Sequence, residues 1–164
     1  MSTGSPRVRV LVCDLGNVVL PLDHGRAFRA LGARLQADVV RTCVARALRE
    51  TGFGQGKCSP ETFFRRLQAD LGLDLSFDAF RRVWSDIFWE APQVVALVRR
   101  ARVARRYLLS NTDPIHWEWI TARFPNTLAP FDRLFVSHEI GVEKPDPRAY
   151  RLVMEESGEP PGAH

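Results

Sequence analysis

The sequence of 164 residues has 45% hydrophobic side chains and a formal net charge of +4 at pH 7. This composition supports one ordinary hydrophobic core and excludes an intrinsically disordered chain. No apolar run approaches the roughly 20 residues that span a bilayer, so we expect a cytoplasmic protein with no membrane partner. The positive charge is almost entirely arginine, and its densest group, at residues 99–106, follows a predicted helix. Cations favour helix C-termini, and we therefore expect no nucleic-acid partner.

The first predicted element is a buried strand over residues 8–13, where apolar residues run on without alternation. Residues 21–90 predict an inserted α-helical cap, with helical spacing over 37–49 and 77–89. A glycine-rich break, TGFGQGKCSPE, separates these two segments, and its Ser59 and Pro60 predict a helix start. A stripe of aromatic residues predicts the core of the cap: Phe77, Phe80, Trp84 and Phe88.

The second half of the chain alternates helices and strands. Helices are predicted over 92–102, 115–124 and 146–157, with strands over 106–109 and 131–136. This alternation favours an α/β fold with a Rossmann-like, doubly wound parallel sheet. We expect residues 1–20 and 91–164 to form that core, with the cap inserted between them.

Candidate polar residues lie at or beyond the C-terminal end of each predicted strand. Asp14 follows the first strand, Ser110 and Asn111 follow the second, and Lys144 lies in the loop after the third. Ligands of open parallel sheets bind beyond the carboxyl ends of the strands. A carboxylate, a hydroxyl and an ammonium at that edge favour phosphoryl transfer to an aspartate nucleophile. Lys144 and a magnesium ion held by oxygen ligands would offset the repulsion between carboxylate and phosphate.

The other candidate residues predict structural roles. Asp113 and Asp146 fit turn and helix-cap positions. The histidines His24, His116 and His138 lack the spacing of a metal site, so we expect polar loop roles for them. Three widely spaced cysteines form no zinc-like pair.

Three ordered motifs resemble the haloacid dehalogenase superfamily. They are VCDLGNVV around Asp14, YLLSNTD around Ser110 and GVEKPDPRAY around Lys144. The helical insertion after the first motif resembles subfamily IA, and in particular the branch that includes glucose-1-phosphate phosphatases.

This resemblance implies a magnesium-dependent phosphatase that acts on a small phosphate monoester, with sugar phosphates as one candidate class. Asp14 would form an aspartyl-phosphate, and Lys144 would neutralise charge. Asp14 and the backbone carbonyl of Gly16 would bind the metal. The phosphate would be bound by residues of the first two motifs: Gly16, Asn17, Ser110 and Asn111.

The sequence departs from the superfamily pattern at two points. Most phosphatases of the superfamily have an aspartate acid and base two positions after the nucleophile, where this chain has Gly16. A good leaving group tolerates that loss best. A fourth motif with paired aspartates is also missing, so we expect the other carboxylate ligands of the metal to be absent and the chain to be truncated. The resemblance places the missing strand beside the first strand, whose exposed edge would invite self-association.

Two alternatives remain open. A 2-haloacid dehalogenase-type hydrolase also uses a nucleophilic aspartate but needs no magnesium, so metal dependence separates it from a phosphatase. The absent fourth motif favours the second alternative, a non-catalytic remnant with a binding role only.

Overall fold

The structure of the protein, a computed structural model, describes residues 8–32 and 35–164. Three parallel strands form one sheet in the order β1 (Val10–Cys13), β2 (Arg105–Ser110) and β3 (Arg133–Val136). Cys13 of β1 is level with Leu108 of β2. The predicted parallel α/β class is confirmed, and each strand starts and ends close to its predicted bounds.

The helices surround this sheet and connect its strands. In chain order they are α1 (His24–Leu31), α2 (Ala37–Thr51), α3 (Pro60–Leu71), α4 (Phe77–Ser85), α5 (Pro92–Arg100), α6 (Pro114–Arg123), α7 (Pro125–Leu128), α8 (Ser137–Ile140) and α9 (Pro147–Ser157). The predicted start of α3 is confirmed, because the Ser59 hydroxyl accepts a hydrogen bond from the Thr62 N–H. Short 3-10 turns occupy Phe53–Gln55 and Pro161–Ala163.

Both faces of the sheet are covered, which explains the continuous apolar runs of its strands. Tyr107 and Leu109 of β2 pack on one face in a cluster with Val153 of α9. Leu108, which points the opposite way, packs in a second cluster with Ile120 of α6. The sheet therefore lies between two helical layers.

The arginine-rich segment after α5 serves the fold. The Arg106 guanidinium donates hydrogen bonds to the carbonyl oxygens of Val98 at 2.8 Å and Ala101 at 2.7 Å. These carbonyls belong to the last turn of α5, where helix carbonyls lack partners within the helix. This contact supports the structural interpretation of the cluster.

The inserted helices α1 to α4 pack around an aromatic cluster. Phe53 and Phe63 stack at 4.3 Å between ring centroids, and Phe80 and Trp84 belong to the same cluster. Phe77 packs against that cluster, as predicted, but Phe88 belongs to the cluster under the sheet.

The predicted helix over 77–89 was too long at its C-terminal end, because α4 stops at Ser85. Beyond that point the chain pairs with the segment that enters the insertion. The Asp23 N–H donates to the Ile87 carbonyl at 3.0 Å, and the Trp89 N–H donates to the Pro21 carbonyl at 3.1 Å. The two connections between the sheet and the inserted helices therefore lie side by side.

Within the described residues, β2 is the only strand that pairs with β1. A groove of about 460 Å³ runs beside β1, and its lining includes Leu11, Val12, Tyr150 and Met154. Self-association through this edge stays a prediction. In the same part of the chain, every helix is too short or too polar to cross a membrane.

Candidate active site

The carboxyl end of the sheet brings together an aspartate and a lysine from distant parts of the sequence. Asp14 directly follows β1, and its Oδ1 lies 2.8 Å from Lys144 Nζ. The ammonium group also donates to the Leu109 carbonyl of β2 at 2.8 Å. The Lys144 side chain is 19% exposed and that of Asp14 is 44% exposed. The pair is thus partly shielded yet open to a ligand on the carboxylate side.

Asn111 holds the backbone of the lysine loop. Its side-chain NH₂ donates to the Lys144 carbonyl at 2.8 Å, and its Oδ1 accepts from the Lys144 N–H at 2.7 Å. Both polar ends of the amide are therefore occupied, whereas the sequence predicted Asn111 as a phosphate-binding residue. These contacts position the loop of Lys144, and phosphate binding by Asn111 stays a prediction.

Ser110 ends β2, one residue beyond the carbonyl that binds Lys144. Its side chain is buried, and its hydroxyl makes only a long contact of 3.4 Å with the Asn111 carbonyl. That weak bond leaves the hydroxyl free to rotate toward a phosphate oxygen. Phosphate binding by Ser110 stays a prediction.

The turn after Asp14 is shaped by its own side chains. The Leu15 N–H donates to Asp14 Oδ1 at 2.7 Å and so orients the carboxylate. Asn17 has a φ of 56°, a left-handed conformation that asparagine tolerates better than most residues. Its Oδ1 accepts from the Leu22 N–H at 3.0 Å, and its N–H donates to the Leu20 carbonyl at 3.1 Å. Only the NH₂ of Asn17 remains for the predicted phosphate contact.

Two residues that the sequence did not indicate, Ser137 and Glu143, bond to the segment between α2 and α3. The Ser137 hydroxyl donates to the Gly54 carbonyl at 2.6 Å and accepts from the Thr112 N–H at 2.9 Å. The Gln55 NH₂ donates to Glu143 Oε2 at 3.1 Å, and Glu143 directly precedes Lys144. The glycines of TGFGQG were the one available signal, since close backbone approach requires glycine.

A buried polar network joins α4 to the start of α6. Asp113 Oδ2 accepts from Trp84 Nε1 at 3.1 Å and lies 2.8 Å from His116 Nδ1. His116 Nε2 lies 2.9 Å from the Trp84 carbonyl, and the two rings stack at 5.2 Å. Both ring nitrogens of His116 thus face oxygen acceptors.

Asp113 also caps α6, as predicted, because its Oδ1 accepts from the N–H groups of Ile115 and His116. Burial alone raises the pKa of Asp113, but the charge of His116 and the hydrogen bonds from His116 and Trp84 outweigh it. The net result is a pKa below the ordinary value.

The predicted loop positions of the three histidines were wrong, because all three lie in helices. His116 is buried in α6, His24 begins α1, and His138 belongs to α8. Each histidine lies within the first three residues of its helix, so its neighbours in the sequence include the turn residues that precede the helix. Asp146, in contrast, is the N-cap of α9, as predicted.

The described residues contain no cluster of three or more acidic, histidine or cysteine side chains that could hold a metal ion. The Asp14 carboxylate and the Gly16 carbonyl remain the predicted ligands. Mg²⁺ prefers oxygen ligands and keeps several waters. Two protein oxygens would leave the other positions around such an ion to water.

A parallel sheet with helices on both faces, and with an aspartate–lysine pair at the carboxyl ends of its strands, defines an α/β protein whose candidate ligand site lies at that edge. The sequence model of the haloacid dehalogenase-like hydrolase family matches residues 9–163. The chain belongs to this family, which confirms the resemblance seen in its three motifs.

Known proteins of the family resemble this chain over most of its length. A D-ribitol-5-phosphate phosphatase from Bacteroides thetaiotaomicron is 26% identical, over 92% of this chain and 77% of that protein. The crystal structure of a HAD family enzyme from the same species has a TM-score of 0.79 at 24% identity, and covers 96% of this chain and 81% of its own. That enzyme has also been solved in complex with magnesium and inorganic phosphate. An L-2-haloacid dehalogenase from Xanthobacter autotrophicus has a TM-score of 0.63 at 18% identity, and covers 95% of this chain and 67% of its own.

Proposed function

We propose that this protein is a magnesium-dependent phosphatase that hydrolyses a small sugar or polyol phosphate through an aspartyl-phosphate on Asp14. The observation that carries the proposal is the 2.8 Å contact between Asp14 and Lys144 at the carboxyl end of the sheet. The phosphatase relative supports this reaction and this substrate class. The dehalogenase shares the fold at low identity, and so it does not favour one chemistry over the other.

In the proposed reaction, a carboxylate oxygen of Asp14 attacks phosphorus and the bond from phosphorus to the leaving oxygen breaks. Water then attacks the phosphorus of the aspartyl-phosphate and releases inorganic phosphate and the Asp14 carboxylate. Gly16 supplies no proton, so the leaving oxygen takes its proton from water.

Charge compensation comes from several groups. Lys144 would neutralise the phosphoryl oxygens and Ser110 would hydrogen-bond one of them, while Asn111 keeps the lysine loop in place. The Asp14 carboxylate and the Gly16 carbonyl would hold Mg²⁺, which when bound polarises the phosphoryl group.

Metal dependence tests this function. We expect release of phosphate from sugar phosphates to need added Mg²⁺ and to stop with EDTA, and we expect no chloride release from 2-chloropropionate. Chloride release without metal would instead establish the dehalogenase. The small number of metal-binding side chains favours one other outcome, phosphate binding without turnover, which would identify a non-catalytic binding protein.

Replacing Lys144 by alanine is expected to lower kcat/KM by about 100- to 1000-fold, the usual loss when one group that stabilises a developing charge is removed. The inhibition constant of inorganic phosphate should rise as well, because Lys144 offsets charge in the bound state too. Steady-state kinetics with phosphate as inhibitor measure both effects. Arg102→Ala, which removes an exposed positive charge elsewhere, serves as the control. Equal losses in the two variants would contradict the role of Lys144.

Gly16 predicts a strong dependence on the leaving group. A general acid contributes about 10²- to 10⁴-fold, so the wild type should hydrolyse 4-nitrophenyl phosphate far faster than alkyl phosphates. Gly16→Asp should raise the rate on alkyl phosphates above that of Gly16→Ala, with little change on 4-nitrophenyl phosphate.

The alanine variant is the matched control for this experiment. A Cβ at position 16 would lie 3.0 Å from Leu22 Cδ2, and both substitutions add this Cβ, so the alanine variant controls for its contact with Leu22. Equal rates of the two variants on alkyl phosphates would contradict a missing proton donor.

A further inference from the structure

A cleft of about 760 Å³ lies between the inserted helices and the loops that follow β1 and β2. Small-molecule sites have volumes of roughly 300–1,000 Å³. Asn111 and Glu143 line the cleft. Asn111 bonds to the backbone of Lys144, and Glu143 directly precedes Lys144 in the chain. Asp14 and Lys144 themselves line the groove beside β1, and the cleft reaches their side of the sheet through Asn111 and Glu143. The part of a substrate that is not phosphoryl would have room there.

Most polar groups of the cleft already have partners in the protein. Those with a hydrogen bond or ion pair are Asn17, Asp23, Arg41, Asn111, Asp113, His116 and Glu143. The imidazole of His24 and the hydroxyl of Thr112 are different, because their side-chain polar atoms bond to none of the residues that the structure describes. His24 is exposed to solvent in the open cleft, and its ring stacks on Phe28 at 6.0 Å.

The surroundings of His24 favour its neutral form. The protein atoms around the ring desolvate it and lower its pKa, and the nearby His116, at 6.2 Å between ring centroids, lowers the pKa further. The carboxylates of Asp113 and Asp23 oppose this shift, but the net direction is downward. A neutral imidazole has one donor and one acceptor nitrogen, which match a hydroxyl group. A carboxylate or a second phosphate would prefer a cation.

We infer that His24 determines specificity by hydrogen-bonding a hydroxyl of a polyol or sugar phosphate whose phosphoryl group faces Asp14. This inference rests on the proposed phosphatase function, because that function sets which end of the substrate enters the cleft. Phe28, Val44 and Leu48 line the cleft beside His24 and would contact the carbon chain.

Binding to the Asp14→Asn protein separates this inference from the catalytic proposal, because it needs no turnover. The probes are a pentitol 5-phosphate and n-pentyl phosphate, which has the same chain length and lacks the hydroxyls. In calorimetric titrations with Mg²⁺ present, His24→Leu should weaken binding of the pentitol phosphate about 10- to 100-fold, the range for a polar group that loses its partner. Binding of pentyl phosphate should change less than about threefold, and His24→Asn should restore part of the pentitol phosphate affinity.

Thermal unfolding of each variant checks that the fold persists. The assignment of His24 would be overturned if His24→Leu weakened binding of both probes equally, or did not weaken binding of the pentitol phosphate. It would also be overturned if the Asp14→Asn protein with His24 intact did not prefer the pentitol phosphate over pentyl phosphate. The Asp14→Asn protein could prefer the pentitol phosphate while the wild type releases no phosphate from that compound. In that case the phosphatase proposal fails and the His24 site stands.

Discussion

Replacing Asp14 by asparagine is expected to lower phosphatase turnover by at least about a thousandfold, the scale of loss for a catalytic nucleophile. The amide keeps the shape of the carboxylate but cannot attack phosphorus. Because Asp14 is 44% exposed, its ion pair with Lys144 contributes little to stability. The variant should therefore stay folded. Steady-state rates with saturating Mg²⁺ measure the effect, and mass spectrometry of acid-quenched wild type should detect the phosphoryl adduct.

Asp74→Asn provides the control for this experiment. Asp74 is exposed in the connection between α3 and α4, so its substitution removes the same charge without touching the site. Wild-type turnover by the Asp14→Asn protein, or a phosphoryl adduct on another residue, would rule out Asp14 as the nucleophile.

Local patterns were enough to predict the sheet and the central pair of the site. The strands read as apolar runs because both of their faces are covered, and the first two runs end at the candidate site residues Asp14 and Ser110. Asp14 and Lys144 could be placed together because the carboxyl ends of parallel strands meet at one edge. The start of α3 was also predictable, since its cap lies within four residues of sequence.

The parts of the site that depend on distant contacts could not be predicted. The bond between Gln55 and Glu143 joins residues 88 positions apart, and the bond between Ser137 and Gly54 spans 83 positions. The role of Asn111 depends on its reach across to the Lys144 backbone, which its place beside Ser110 does not reveal. The sequence predicted a turn or cap role for Asp113 and a loop role for His116, and neither prediction indicated that the two side chains form a buried pair.

Removing one partner of that buried pair is expected to destabilise the fold strongly, because the other partner would stay buried without its contact. Breaking a buried ion pair by removing one partner costs about 3–5 kcal/mol. Asp113→Asn removes the carboxylate and directs an NH₂ group toward the N–H donors of Trp84 or His116. For a chain of this size each kcal/mol lowers Tm by about 2–4 °C. We therefore expect Tm to fall by roughly 10 °C, measured by circular dichroism at pH 7.

Asp86→Asn is the matched control, because Asp86 pairs with Arg26 at 3.1 Å on the exposed surface. An exposed pair contributes about 0–1 kcal/mol, so this variant should unfold close to the wild-type temperature. A similar fall in Tm in both variants would show that burial does not make the Asp113 contact more important for stability than the exposed Asp86 contact.

The difference in unfolding free energy between the wild type and Asp113→Asn should depend on pH, and this dependence identifies the cause of the difference. The folded pKa of Asp113 is depressed, with burial opposing and the His116 charge and hydrogen bonds producing the shift. A carboxyl group with a depressed pKa contributes stability above its unfolded pKa, which is about 3.9, and loses that contribution as the pH falls through the folded value. The gap in unfolding free energy between wild type and Asp113→Asn should therefore be full at pH 7 and shrink below pH 4. Urea titrations across this range measure the gap, and a gap that is constant with pH would assign the loss to packing and not to the charge of Asp113.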